Sequence, residues 1–226
     1  MQPKNVKMAD VRDMYSAHAM MRREFRLLPQ LIRGVARGDT RRAKVVADHA
    51  DKICSFLHSH HHGEDLYLWP LLLERGGAKT EQIVPTMEKQ HHGIEEALTI
   101  AGERLSQWRS TAQGGTELAE AFQLLTDRLV EHMALEEREI LPLAEQYVTA
   151  AEWGKLGEHG MTNTPKSDLI LGFGMVMYES DAEATKAILA DAPLFARVVM
   201  PLMARRRYTS HAKRIYGTST PPRIGR

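Results

Sequence analysis

The chain has 226 residues, enough for one large domain or one domain with an appendage. Its 43% hydrophobic and 26% charged residues are ordinary for a globular protein, but the net charge of +1 hides an asymmetry. No acid follows Asp191, whereas Arg197, Arg205, Arg206, Arg207, Lys213, Arg214, Arg223 and Arg226 are basic. Cys54 is the only cysteine, which excludes an intrachain disulfide and makes a reducing compartment the simpler reading. Met1 to Met8 lacks the apolar core of a signal peptide, and no stretch is apolar for long enough to span a bilayer. The expected location is cytoplasmic, with no membrane partner.

Asp10 is a plausible cap for a first helix running to about Arg37, with Met14, Ala17, Met21, Phe25 and Leu28 spaced at three and four. Pro29 is expected to kink or divide it. After the turn Gly38-Asp39-Thr40, a second helix runs from about Arg41 to Arg75 and is stopped by Gly76-Gly77. Thr80 caps a third, to about Trp108, whose stripe is Ile83, Met87, Ile94, Leu98 and Leu105. Thr116 caps a fourth, to about Val148. Shorter helices follow, over about Ala151–Glu158, from Thr164-Pro165, after Ser180-Asp181, and from about Pro193 to Tyr216. No strict alternation marks a strand. The fold class is therefore all-α: an up-down-up-down four-helix bundle over 10–148, with additional C-terminal helices over 149–226 expected to pack on it.

Helices two and four carry the same skeleton. His60, Glu64 and Pro70 in His-His-His-Gly-Glu-Asp-Leu-Tyr-Leu-Trp-Pro recur as His132, Glu136 and Pro142 in His-Met-Ala-Leu-Glu-Glu-Arg-Glu-Ile-Leu-Pro, each displaced by 72 residues. With 11 histidines and 10 prolines in the chain, two accidental copies are not expected. Residues four apart on a helix share a face, so each imidazole and carboxylate can converge on one point. Such a mixed N/O donor set suits iron, manganese or zinc.

If helices two and four are one repeated pair, helices one and three are the other. Helix one has His18 alone; helix three offers His91 or His92. His18 is followed by Met21 and Phe25 at +3 and +7, and His91 by Ile94 and Leu98, whereas His92 leads to Glu95 and Thr99. His91 therefore shares the buried face. In helix two, only the register through His60 and Glu64 places Pro70 at the offset seen in the second copy, so His58, His61 and His62 are expected around the ligands or at the surface. The expected metal ligands are His18, His60, Glu64, His91, His132 and Glu136, two imidazoles for each of two metals with the carboxylates between them.

This pattern, with its Leu-Tyr-Leu-Trp-Pro and Glu-Ile-Leu-Pro followers, resembles the hemerythrin-like (HHE cation-binding) family over roughly residues 10 to 148. The resemblance implies a four-helix bundle holding two iron ions (Fe), bridged by two carboxylates and an oxo or hydroxo group. Its members variously bind dioxygen, sense oxygen or iron, or act on peroxide and nitric oxide. The respiratory carriers have a second helix-three histidine one turn after the first, and Glu95 stands there instead. Fewer imidazoles among hard oxygen donors favour the ferric state. The expected activity is thus on small oxidants, decomposition of hydrogen peroxide and turnover of nitric oxide, with an oxygen, NO or iron binding or sensing protein as the alternative. Small diatomic or peroxide ligands are the expected partners.

Other residues have lesser claims. Tyr15, one turn before His18, is a candidate to hydrogen-bond a metal-bound species, against an ordinary core role. Asp65 and Glu137, each following a proposed bridging Glu, are candidates to orient the histidines. Pro70 and Pro142 are expected to kink the helices near the site. His159 is expected to end a helix, and Met175, Met177, Met200 and Met203 to fill core. Without interleaved aromatics or a known DNA-binding module, the Arg205-Arg206-Arg207 cluster reads as a solvated face and not as a nucleic-acid surface.

Overall fold

The computed structural model describes residues 6–190 and 194–224. Ten helices follow one another there: α1 (Arg12–Arg33), α2 (Thr40–Tyr67), α3 (Trp69–Arg75), α4 (Ala78–Thr111), α5 (Gly115–Glu139), α6 (Leu141–Tyr147), α7 (Ala150–Asn163), α8 (Lys166–Glu179), α9 (Ala182–Ile188) and α10 (Leu194–Tyr216). Among the described residues no strand forms; Met8 and Thr149 make an isolated antiparallel bridge. The protein is an all-α bundle. Helix α1 packs against α2 and α5, and α4 against the same two, which closes a ring of four long helices. Phe25, Leu28, Ile53, Leu57, Ile94, Leu105, Phe122 and Leu129, from all four, share one apolar core.

The helix boundaries show where backbone chemistry overrides pattern. Each long even-numbered helix of the sequence reading is two helices, broken at Leu68 and at Ile140, with Pro70 and Pro142 in the first turn of the second piece. The two breaks match: Leu68 has φ −98° and ψ −53°, Ile140 φ −91° and ψ −49°. Proline can start a helix but cannot continue one without losing a hydrogen bond. Pro29, by contrast, does not divide α1, which continues to Arg33. The carbonyl of Phe25 loses its usual donor to Pro29 and accepts instead from Thr126 Oγ1 at 3.1 Å, across the bundle from α5.

The helices from α7 on lie against the bundle. Thr149 and Glu152 form a reciprocal capping box at the start of α7, and Glu152 also takes both guanidinium nitrogens of Arg75 at 2.7 and 2.8 Å. Helix α7 runs on to Asn163, so His159 is not its end. The His159 ring packs on α2 beside His62 and Tyr67, over Gly63, where a Cβ would meet the ring at 3.3 Å. Leu171 and Met175 of α8 and Tyr208 and Ala212 of α10 join the core cluster of the bundle. Helices α8 and α10 cross at Gly174, where a Cβ would lie 2.5 Å from the Ala204 carbonyl oxygen. Met203, expected in the core, is exposed on α10 instead. The predicted start of that helix at Pro193 lies outside the described residues.

A buried polar cluster fastens α10 and α8 to the bundle. Arg23 and Glu24 of α1 and His49 of α2 are fully buried. Arg23 holds Glu24 on one side and Glu179 of α8 on the other, the latter at 2.7 Å. Glu24 accepts from the Tyr216 hydroxyl of α10 and lies 3.1 Å from His49, whose other ring nitrogen is 3.1 Å from His211. Every charge there is paired, as burial requires.

Candidate metal centre

The apolar stripes of α1, α2, α4 and α5 bring His18, His60, Glu64, His91, His132 and Glu136 together in the middle of the bundle. His18, Glu64, His132 and Glu136 are completely buried. Their donor atoms fall into two groups, each within 4.8 Å: His18, His60, Glu64 and Glu136 form one, and His61, Glu64, His91 and His132 the other. Glu64 belongs to both. His61, expected around the ligands or at the surface, is a member of the second group and is only 6% exposed. The repeat concealed it, since its counterpart in the second copy is Met133. The run of three histidines was the available signal.

The centre has an approximate internal symmetry in which each half orients the other's histidine. His18 Nδ1 lies 2.9 Å from Glu137, and His91 Nδ1 lies 2.8 Å from Asp65. An ionised carboxylate only accepts, so both histidines donate from Nδ1 and present Nε2 inward. There, His18 Nε2 is 3.2 Å from His60 Nε2, and His91 Nε2 is 3.2 Å from His132 Nε2. Gln90, which the sequence reading overlooked, lies 3.2 Å from His132 Nδ1.

Charge follows this geometry. Burial opposes protonation of His18, but the charge of Glu136 and contacts with Glu136 and Glu137 outweigh it and raise its pKa to about 9. His91 is likewise raised to about 9, with burial overcome by Asp65 and Glu64. Burial, then the charge of His18, pushes His60 down to about 3. Burial and the charge of His91 hold His61 and His132 well below the usual imidazole range. Burial and the neighbouring charge of Glu136 lift Glu64 to about 7, whereas burial of Glu136 is outweighed by His18, which keeps it low. Cationic His18 and His91 can each donate Nε2–H to a neutral partner imidazole, so positive charge lies between paired nitrogens.

The donor set fits a metal. Imidazole nitrogens approach Glu64 and Glu136 at 3.1 to 3.6 Å, yet all four carboxylate oxygens, and His61 Nε2, have no hydrogen bond. Buried polar atoms left in this way cost about 1–3 kcal/mol each. A cation between them would satisfy several at once.

Tyr15 belongs to neither group. It is 43% exposed, and its hydroxyl donates to the Glu137 carbonyl oxygen at 3.4 Å. Glu95 points outward and lies 3.2 Å from exposed His58. A solvent-open cleft of about 430 Å³ reaches the centre from this side. Buried His61 and His91 form its inner wall; exposed His58, His62, Asp65, Glu88, His92 and Glu95 form its mouth.

Buried His and Glu donors converging from the helices of a four-helix bundle define a metal-binding protein of the helical-bundle class. The comparisons sharpen this. The family model described as the hemerythrin HHE cation binding domain matches residues 9–144, more than half of the chain, and the protein belongs to that family. Iron is the metal typical of such domains. No curated protein and no solved structure matches the chain. No described helix is long and apolar enough to cross a membrane.

Proposed function

We propose that His18, His60, Glu64, His91, His132 and Glu136 hold two iron ions, and that the protein decomposes hydrogen peroxide, with nitric oxide as a second small ligand. The observation that carries this reading is the polar cleft ending at His61 and His91. An oxygen carrier must keep water and protons from its ligand, whereas this cleft admits both, between imidazoles and carboxylates that can trade protons. The iron would supply Lewis acidity and a change of redox state. Disproportionation needs no outside reductant: one peroxide loses two electrons and two protons to become dioxygen, and a second takes them up to become two waters. The residues of the mouth are suited to passing those two protons from the first step to the second.

The test is oxygen evolution from peroxide by the iron-loaded protein, with His60→Ala as control. Evolution that disappears in His60→Ala supports the proposal. A stable spectral change under dioxygen, with no evolution from peroxide, would replace it by the binding or sensing function.

A further inference from the structure

We propose that His61 is a metal ligand, the third imidazole of the group formed with His91, His132 and Glu64. The inference rests on the metal-holding part of the proposed function and extends it to an unequal centre, with three imidazoles at one metal position and two at the other.

Several observations converge on His61. It is almost fully buried, and its Nε2 has no hydrogen-bond partner. That side chain lies within ligand distance of three other donors, stacked on the His91 ring at 4.0 Å and edge-on to His132 at 4.9 Å. Consecutive helical residues point about 100° apart, so His60 and His61 can serve different metal positions from one turn of α2. Without His61 the second group would have three donors against four in the first. The two copies differ at this position, His61 against Met133. Met133, the repeat counterpart, is buried and apolar, and a buried imidazole in its place is costly unless its nitrogen is used. The α4 position one turn beyond His91 offers no ligand instead, because Glu95 there faces away toward His58. His61 therefore provides from α2 an imidazole that α4 lacks.

The test uses the full chain and cobalt(II) alone. Equilibrium dialysis of the unaltered protein is expected to give two ions per chain. His61→Leu is expected to bind one ion as before and the other more weakly by about 100-fold or more, beyond the loss of about 10- to 100-fold usual for a residue that only orients a ligand. Two ions bound by His61→Leu with unchanged affinity would overturn the assignment while leaving the two-metal reading intact. Fewer than two ions on the unaltered protein would overturn both. Proton NMR of the cobalt-loaded, unaltered chain in water needs no variant: five strongly shifted exchangeable imidazole N–H signals are expected, and four would exclude His61.

Discussion

His18 of α1 and Glu137 of α5 are joined Nδ1 to Oε1 at 2.9 Å, and that bond fixes which nitrogen of His18 faces the metal centre. Glu137 is in turn held by Arg22 at 2.7 Å, so the orienting carboxylate is itself positioned. Asp65 does the same for His91 and also accepts from the Trp69 indole at 2.8 Å. Removing either carboxylate frees the imidazole to rotate and to move its proton. Glu137→Ala and Asp65→Ala are each expected to weaken metal binding by about 10- to 100-fold, measured by competition with a chelator. Glu137→Gln retains an acceptor and is expected to lose less. Equal affinities in Glu137→Ala and the unaltered protein would show that the bond does not support ligation.

The repeat made these pairs readable. The shift of 72 residues set His60 with His132 and Glu64 with Glu136, and the prolines six residues beyond fixed the register and marked where each helix restarts. His18 is the single histidine of its helix, and His91 followed from sharing its apolar spacing, because a buried stripe constrains every side chain on it. Reading by repeat has a blind side, since it discards what the second copy lacks, and so it set His61 aside. The fastening of α8 and α10 was not legible for a different reason: Arg23 and Glu179 are 156 residues apart, and no local period links them. One signal was present. Glu24 sits between Met21 and Leu28, and His49 between Val46 and Ile53, so charged or polar groups occupy apolar stripes, where only a buried partner could accommodate them.

That buried cluster has a pH signature. Burial raises the Glu24 pKa, but Arg23, His49 and Tyr216 outweigh it and bring it from the ordinary 4.5 to about 2. The folded pKa is thus below the unfolded one, so the stabilisation is complete above about 4.5 and is lost as pH falls toward about 2. Glu24→Gln leaves Arg23 buried with one carboxylate fewer. It is expected to cost about 3–5 kcal/mol near neutral pH and to flatten the fall in stability between those two pH values. Urea titrations in the presence of a chelator at several pH values measure both. An unchanged slope would place the acid sensitivity elsewhere.

Two glycines separate a tolerant contact from an intolerant one. At Gly174 a Cβ would come within 2.5 Å of the Ala204 carbonyl oxygen and 2.9 Å of Tyr208 Cβ, so α8 and α10 would have to part. At Gly63 it would meet only the His159 ring edge at 3.3 Å, and an imidazole can swing aside. Gly174→Ala is expected to destabilise by about 1–3 kcal/mol. Gly63→Ala is expected to change stability by less than about 1 kcal/mol, because alanine also favours the helix over glycine. Thermal melts of the two variants decide it, and equal losses would mean that the crossing at Gly174 adjusts as easily as a side chain.

Metal should couple directly to stability, because the carboxylate oxygens it would bind are left by the fold without hydrogen bonds. Glu64 and Glu136 keep four buried oxygens without hydrogen bonds between opposing pairs of imidazoles. A cation that binds only the folded chain stabilises it by about 2.7 kcal/mol when its free concentration is 100 times its dissociation constant. Stripping metal from loaded protein with a chelator is therefore expected to lower the melting midpoint, and returning metal to restore it in proportion to the logarithm of its free concentration. Binding should also release protons, since His18 and His91 are raised to about 9 and would lose their Nε2 protons to solvent as those nitrogens take the metal. Weakly buffered calorimetry or a pH-indicator titration at pH 7 reads that release. Glu64→Gln together with Glu136→Gln, which keeps the volume and removes both charges, is expected to abolish both the metal-dependent rise and the proton release. A metal-dependent rise that survived in that double variant would locate the stabilising ion outside the bundle core.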